Sequence, residues 1–87
     1  MDNARRLQLE NLILRGQQAK TALSFFIEFE EQQKSRLWEA VQRGDEPKIT
    51  AISMIARTAG EFRTYLATTA GNGVIAEKEL QEDTQNG

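Results

Sequence analysis

No cysteine and no histidine occur in this chain. Without cysteine there are neither disulfide staples nor a zinc–thiolate site, and the sequence carries no mark of its redox compartment. Without histidine the commonest general base, the commonest metal ligand and a charge switch near neutral pH are missing. Proline occurs once, at Pro47, and the longest apolar run, Leu12 to Leu14, is far too short to span a bilayer. No charged start with an apolar signal region opens the chain. A cytoplasmic protein with no membrane partner is therefore expected. A formal net charge of −2 with 28% charged residues excludes a polybasic nucleic-acid tail.

The 87 residues suffice for one small domain, near the size where a single core is only marginally adequate. Length alone thus raises the expectation of a homo-oligomer. Charge alternates along the chain, at +2 over residues 1–24, −3 over 25–47, +2 over 48–70 and −3 over 71–87.

The stretch from Ala22 to Val41 holds three of the four phenylalanines and the only tryptophan. Within it Ala22, Leu23, Phe25, Phe26, Ile27 and Phe29 span an arc of about 200° on a helical wheel, twice what a surface helix needs. Such a helix is buried on two sides. Asp2 or Asn3 caps its N-terminus, and to Arg43 there is no proline and a single glycine, Gly16. The spacing predicts one long helix over 3–43, bent near Gly16, where the apolar stripe changes direction between Leu7 and Leu14 on one side and Leu9, Leu12 and Ile13 on the other. Glu30 and Lys34 stand in the favourable i,i+4 order and are expected to pair.

Residues 44–47, Gly-Asp-Glu-Pro, form a hairpin turn, because Gly44 suits a left-handed C-terminal position and proline does not continue a helix. A second helix is predicted over 48–70. Its Ile52, Ile55, Ala59, Phe62, Leu66 and Ala70 recur at spacings of three and four and fill an arc of about 80°. Gly71-Asn72-Gly73 is expected to stop it, followed by a short helix over 74–83 carrying Val74, Ile75 and Leu80, and a frayed tail over 84–87. Residues 1–83 then make a single domain.

Four constellations invite a chemical reading. Residues 53–66 partly resemble a helix-turn-helix pattern, but Glu61 and Thr69 occupy positions where that motif wants apolar residues, so an uninterrupted helix is the reading taken. Glu28, Glu30 and Glu31, with Glu79 and Glu82, suggest a divalent-metal site, yet the second helix offers only Glu61. A solvated acidic face is expected, with no metal and no cofactor. Serine and threonine hydroxyls lack an activating base in any familiar spacing. Ser53, Gly60 and Ala67, at intervals of seven, form a small-residue seam read as packing within the protein's own bundle.

The fold expected is therefore all-α, a long helical hairpin assembling into a helical-bundle oligomer. Leu9, Leu12, Ile13, Phe25 and Phe29 are its expected oligomer or partner interface. The expected function is non-enzymatic, that of a self-assembling adaptor or inhibitor binding another protein, in the manner of a bacterial or phage accessory factor. One alternative is a nucleic-acid-associated protein. Another is a binder of an anionic small molecule at a subunit interface, with Lys48, Arg57 and Arg63 as candidate anion-binding residues.

Overall fold

The computed structural model describes residues 1–86, with side chains over 1–83. Two helices of 41 residues, α1 (Asn3–Arg43) and α2 (Glu46–Asn86), make up the fold and run antiparallel. Asp2 starts α1, its extended backbone leading in while its Oδ1 accepts from the Arg5 N–H at 2.7 Å. Gly44 ends it in the left-handed region at φ 67°, with Gly44 N–H donating to the Val41 carbonyl and Asp45 N–H to the Ala40 carbonyl. That pair of bonds is a Schellman motif, and it satisfies two of the carbonyls a helix end leaves orphaned. Asp45 then caps α2, its Oδ1 accepting from Lys48 N–H at 3.3 Å. The connection is thus two residues, tighter than the four expected, and Pro47 stands in the first turn of α2, where it lacks no needed donor.

A coiled-coil-type repeat runs the length of both helices. On α1 the seam passes through Leu9, Leu12, Gly16, Ala19, Leu23, Phe26, Glu30, Gln33, Leu37 and Ala40, and on α2 through Ile52, Ala59, Leu66, Gly73, Ala76 and Leu80. Steps of three and four on α1, and of seven and then three and four on α2, keep these residues on one side as the helices pass each other. Leu9, Ala19, Ala40, Ile52, Ala59, Leu66 and Ala76 are buried there. The pair measures 64 × 17 × 13 Å, matching the roughly 61 Å of a straight 41-residue helix. Its radius of gyration, 19.1 Å, compares with about 12 Å for a globular domain of this length, so most side chains have water on one side.

Three expectations are corrected. Gly16, expected as the weak point of α1, lies inside an unbroken helix and is a packing residue: a Cβ placed there would lie 2.8 Å from the Gly73 Cα, so the two backbones touch at this pair. Nor does Gly71-Asn72-Gly73 break the chain into helices over 48–70 and 74–83. Two glycines in a helix interior cost about 2 kcal/mol relative to alanine. Continuing α2 brings Ala76 into the seam and sets Glu79 against Arg5 at 2.8 Å and Asp83 against the N-terminal amine at 3.7 Å. Tertiary packing thereby overrides local propensity. The tail expected to fray over 84–87 has a helical backbone to Asn86, and Gly87 lies outside the described residues.

The pairing of Glu30 with Lys34 is also replaced. Lys34 Nζ reaches Glu31 at 3.1 Å, while Glu30 Oε1 crosses the seam to Arg63 Nε at 2.7 Å. Glu30 stands in the seam itself, where Arg63 on the facing helix is nearer than the next turn of α1. The cross-seam contact is an ion pair without hydrogen-bond alignment, since that buried oxygen meets no hydrogen-bond geometry. Gln33, nine-tenths or more buried in the same seam, accepts from Arg36 at 3.3 Å. A buried amide one turn from the Glu30 carboxylate, in a seam that is otherwise apolar, is a device that fixes register.

Candidate functional site: an uncovered aromatic face

Where the glycines meet, the helices are pinched together; about three turns nearer the hairpin tip, bulky residues occupy both sides of the seam. Phe26 of α1 and Phe62 of α2 meet there with stacked rings, centroids 5.0 Å apart and planes inclined by 22°. Two helices have room to enclose one such ring, not two, and Phe62 is left 48% exposed. Phe29 packs edge-on to Phe26 at 6.5 Å, and Tyr65 tilts against Phe62 at 6.0 Å. These are the separations at which aromatic pairs attract. The four rings form a line across one face of the hairpin.

Beside them runs an open groove of about 480 Å³, lined by Phe26, Phe29, Met54, Ile55, Thr58, Ala59 and Phe62. Phe25 projects one turn before Phe29 and is 66% exposed; Tyr65 and Met54 are also more than half exposed. At roughly 150–250 Å² per aromatic side chain, Phe25, Phe29, Phe62 and Tyr65 together leave about 400 Å² of ring surface in water. Met54 and Ile55 add to it. Monomers rarely leave contiguous apolar patches beyond a few hundred Å² uncovered.

Of the five residues expected at an interface, only Phe25 and Phe29 lie on this face with their rings in solvent. Leu9 is 1% exposed and belongs to the seam. Leu12 and Ile13 are half-buried, Leu12 beside Gly73 and Ile13 on the opposite face with Gly16 and Val74. Because α2 continues past Gly73, it runs beside the first 20 residues of the chain and covers Leu9. Ile55 and Phe62 belong to the apolar stripe expected of the second helix. Both are more than one-third exposed, and with Met54 and Tyr65 they supply the α2 half of the face. The signal for this was two phenylalanines at the same level of one seam.

Lys48, Arg57 and Arg63 do not converge. They stand nine and six residues apart, about 13 and 9 Å along α2, and Arg63 is engaged by Glu30. The acidic residues divide similarly, Glu30 to Arg63 and Glu31 to Lys34, and among the described residues no three side chains of metal-ligand type come together. Ser53, Gly60 and Ala67, read as internal packing, point outward instead: nothing lies within 4 Å of a Cβ built on Gly60. The small-residue contact in this fold is Gly16 with Gly73. Among the described residues no helix is long and apolar enough to cross a membrane.

No protein-family model, no curated protein and no solved structure matches this chain.

Proposed function

We propose that this protein is a non-enzymatic, self-associating helical module that works as an adaptor or inhibitor through helix-face contacts. The observation that carries the reading is the aromatic face: Phe25, Phe29, Phe62, Tyr65 and Met54 stand together on one side of the helix pair, and the described residues of their own chain leave each of them between 38% and 66% exposed. Exposed aromatic and methionine side chains around a central groove are the composition of interface hot spots. A second copy covering this face turns a two-helix ribbon into a four-helix bundle, the smallest assembly of this chain with itself. Along the other edge of α1, Ile27, Trp38 and Val41 are also about half or more exposed, a separate apolar edge suited to a different protein. An adaptor needs two such surfaces.

The nucleic-acid alternative has less support. Arg5, Arg6 and Arg63 are each committed to a carboxylate, of Glu79, Glu10 and Glu30, and the remaining bases are scattered along both helices. Sedimentation equilibrium over micromolar concentrations, at low and high salt, tests the choice. Self-association that hardly changes with salt supports an apolar interface, whereas a monomer that binds a DNA duplex with steep salt dependence overturns the reading.

A further inference from the structure

The aromatic face holds enough information to say how a second copy sits on it. Next to the seam on the groove side, α1 carries a row of residues again spaced by three and four, Arg15, Gln18, Ala22, Phe25, Phe29, Gln32, Arg36 and Glu39, in which Gln18 and Arg36 would face each other across a symmetric pair. Arg15 belongs to this face because it lines a shallow depression together with Tyr65 and Thr68. The row reads symmetrically about the level of Ile27. Phe25 and Phe29 stand two residues to either side, Ala22 and Gln32 five, Arg15 and Glu39 twelve. A helix laid antiparallel on its own copy about that level meets aromatic with aromatic, a short side chain with a long one, and a base with an acid. Among the described residues neither Arg15 nor Glu39 has an ion-pair partner within its own chain.

Resting on the self-association proposed above, we infer that two copies pair antiparallel across this face, α1 on α1, with the two-fold axis level with Ile27. Phe25 of each chain packs on Phe29 of the other and enters the groove beside it, and two Arg15–Glu39 pairs, roughly 18 Å to either side of the axis, fix the register. The interface is isologous: knob and groove lie side by side on one surface, as two-fold symmetry demands. The uncovered ring area with the flanking Met54 and Ile55 amounts to roughly 600 Å², about three-quarters of the roughly 800 Å² per partner that a stable interface buries, and the rest of the α1 row supplies the remainder. Glu61 is the adverse charge, since it approaches its own copy near the axis. It is exposed on the outer edge of α2, where salt and water screen it.

Spin labels supply the test, and the absence of native cysteine makes single labels clean. Thr21, Glu28, Ser35 and Gln42 are exposed and seven residues apart on one side of α1, away from the seam. Each is replaced by cysteine in turn, labelled, and the distance between the two labels in the dimer measured. The antiparallel pairing gives axial separations of roughly 18, 3, 24 and 45 Å for the four sites, shortest at Glu28 and rising in both directions. Equal distances at all four sites mean a parallel dimer: the register is overturned while self-association stands. No intermolecular distance at any site overturns both. A second arm uses charge: Arg15→Glu weakens the dimer roughly three- to tenfold, and Arg15→Glu with Glu39→Arg restores it. Failure of the double variant to recover counts against the register.

Discussion

Replacing Gly73 by alanine and replacing Gly71 by alanine should shift stability in opposite directions, although the two positions are two residues apart in one helix. At either site the methyl group improves helix propensity by about 1 kcal/mol, because alanine loses less backbone freedom than glycine on folding. At Gly71 nothing lies within 4 Å of the added Cβ, so this gain stands alone. At Gly73 the new Cβ would be 2.8 Å from the Gly16 Cα and 3.0 Å from the Leu12 carbonyl oxygen. Both obstacles are backbone, so no rotamer change relieves them, and the helices must separate by a substantial fraction of an ångström. Separation loosens Leu9, Ala19 and Ala76, which depend on the close approach. Overpacking of this kind costs about 1–3 kcal/mol, which exceeds the propensity gain over most of that range. Thermal unfolding followed by circular dichroism reads the difference, since 1 kcal/mol moves the midpoint of a domain this size by about 4–8 °C. Gly71→Ala is expected to raise Tm by about that amount and Gly73→Ala to lower it. A rise in both variants would show that the backbones do not touch at Gly16 and Gly73, and that α2 does not pack as one unbroken helix.

Other substitutions test the seam and its far end. Leu66→Ala removes a buried seam residue and should destabilise by about 2–5 kcal/mol, whereas Thr64→Ala, exposed and bonded only to the Gly60 carbonyl of its own helix, should stay within roughly 0.5 kcal/mol; equal losses in denaturant titrations would mean a rotated α2. Ending the chain at Gly73 removes Ala76, Leu80 and the partner of Arg5, bares Leu9 and Leu12, and is expected to lower Tm clearly; an unchanged Tm would show that the last turns of α2 contribute nothing. Glu30→Gln should cost less than about 1 kcal/mol, since Arg63 is half exposed, and the loss should shrink in high salt. A salt-independent loss would point to packing rather than charge.

How far the fold was legible follows from which residues act locally. Asp2, Gly44 and Asp45 end or begin helices through their own side chains and backbone, so the all-α class, the start of α1 and the hairpin turn could be read directly. Gly16 and Gly73 could not. Each looks like a weak point within its own helix, and only the presence of the other, 57 residues away, makes it a contact. The same holds for Glu30, whose partner Arg63 is on the other helix, while the neighbouring Lys34 suggested a local pair. The candidate face was half legible: Phe25 and Phe29 stood out as an excess of apolar surface on α1. Phe62 and Ile55 were hidden because α2 carries a regular stripe that implies burial, and Met54 because it stands alone outside that stripe. That stripe is interrupted in space by the stacking of Phe62 on Phe26, which follows from the register between helices rather than from either sequence segment.

On the function proposed above, the face carrying Phe25 and Phe29 is an interface between copies of this chain. Light scattering on the 9.8 kDa chain, on Phe29→Glu and on Leu7→Glu tests it most directly, because Leu7 is as exposed as Phe25 but lies off this face. The wild type and Leu7→Glu should scatter as dimers at micromolar concentration, and Phe29→Glu as a folded monomer, since association would bury an unpaired carboxylate among the rings. A wild-type protein that stays monomeric across that range, or a Phe29→Glu variant that still dimerises, would contradict the account.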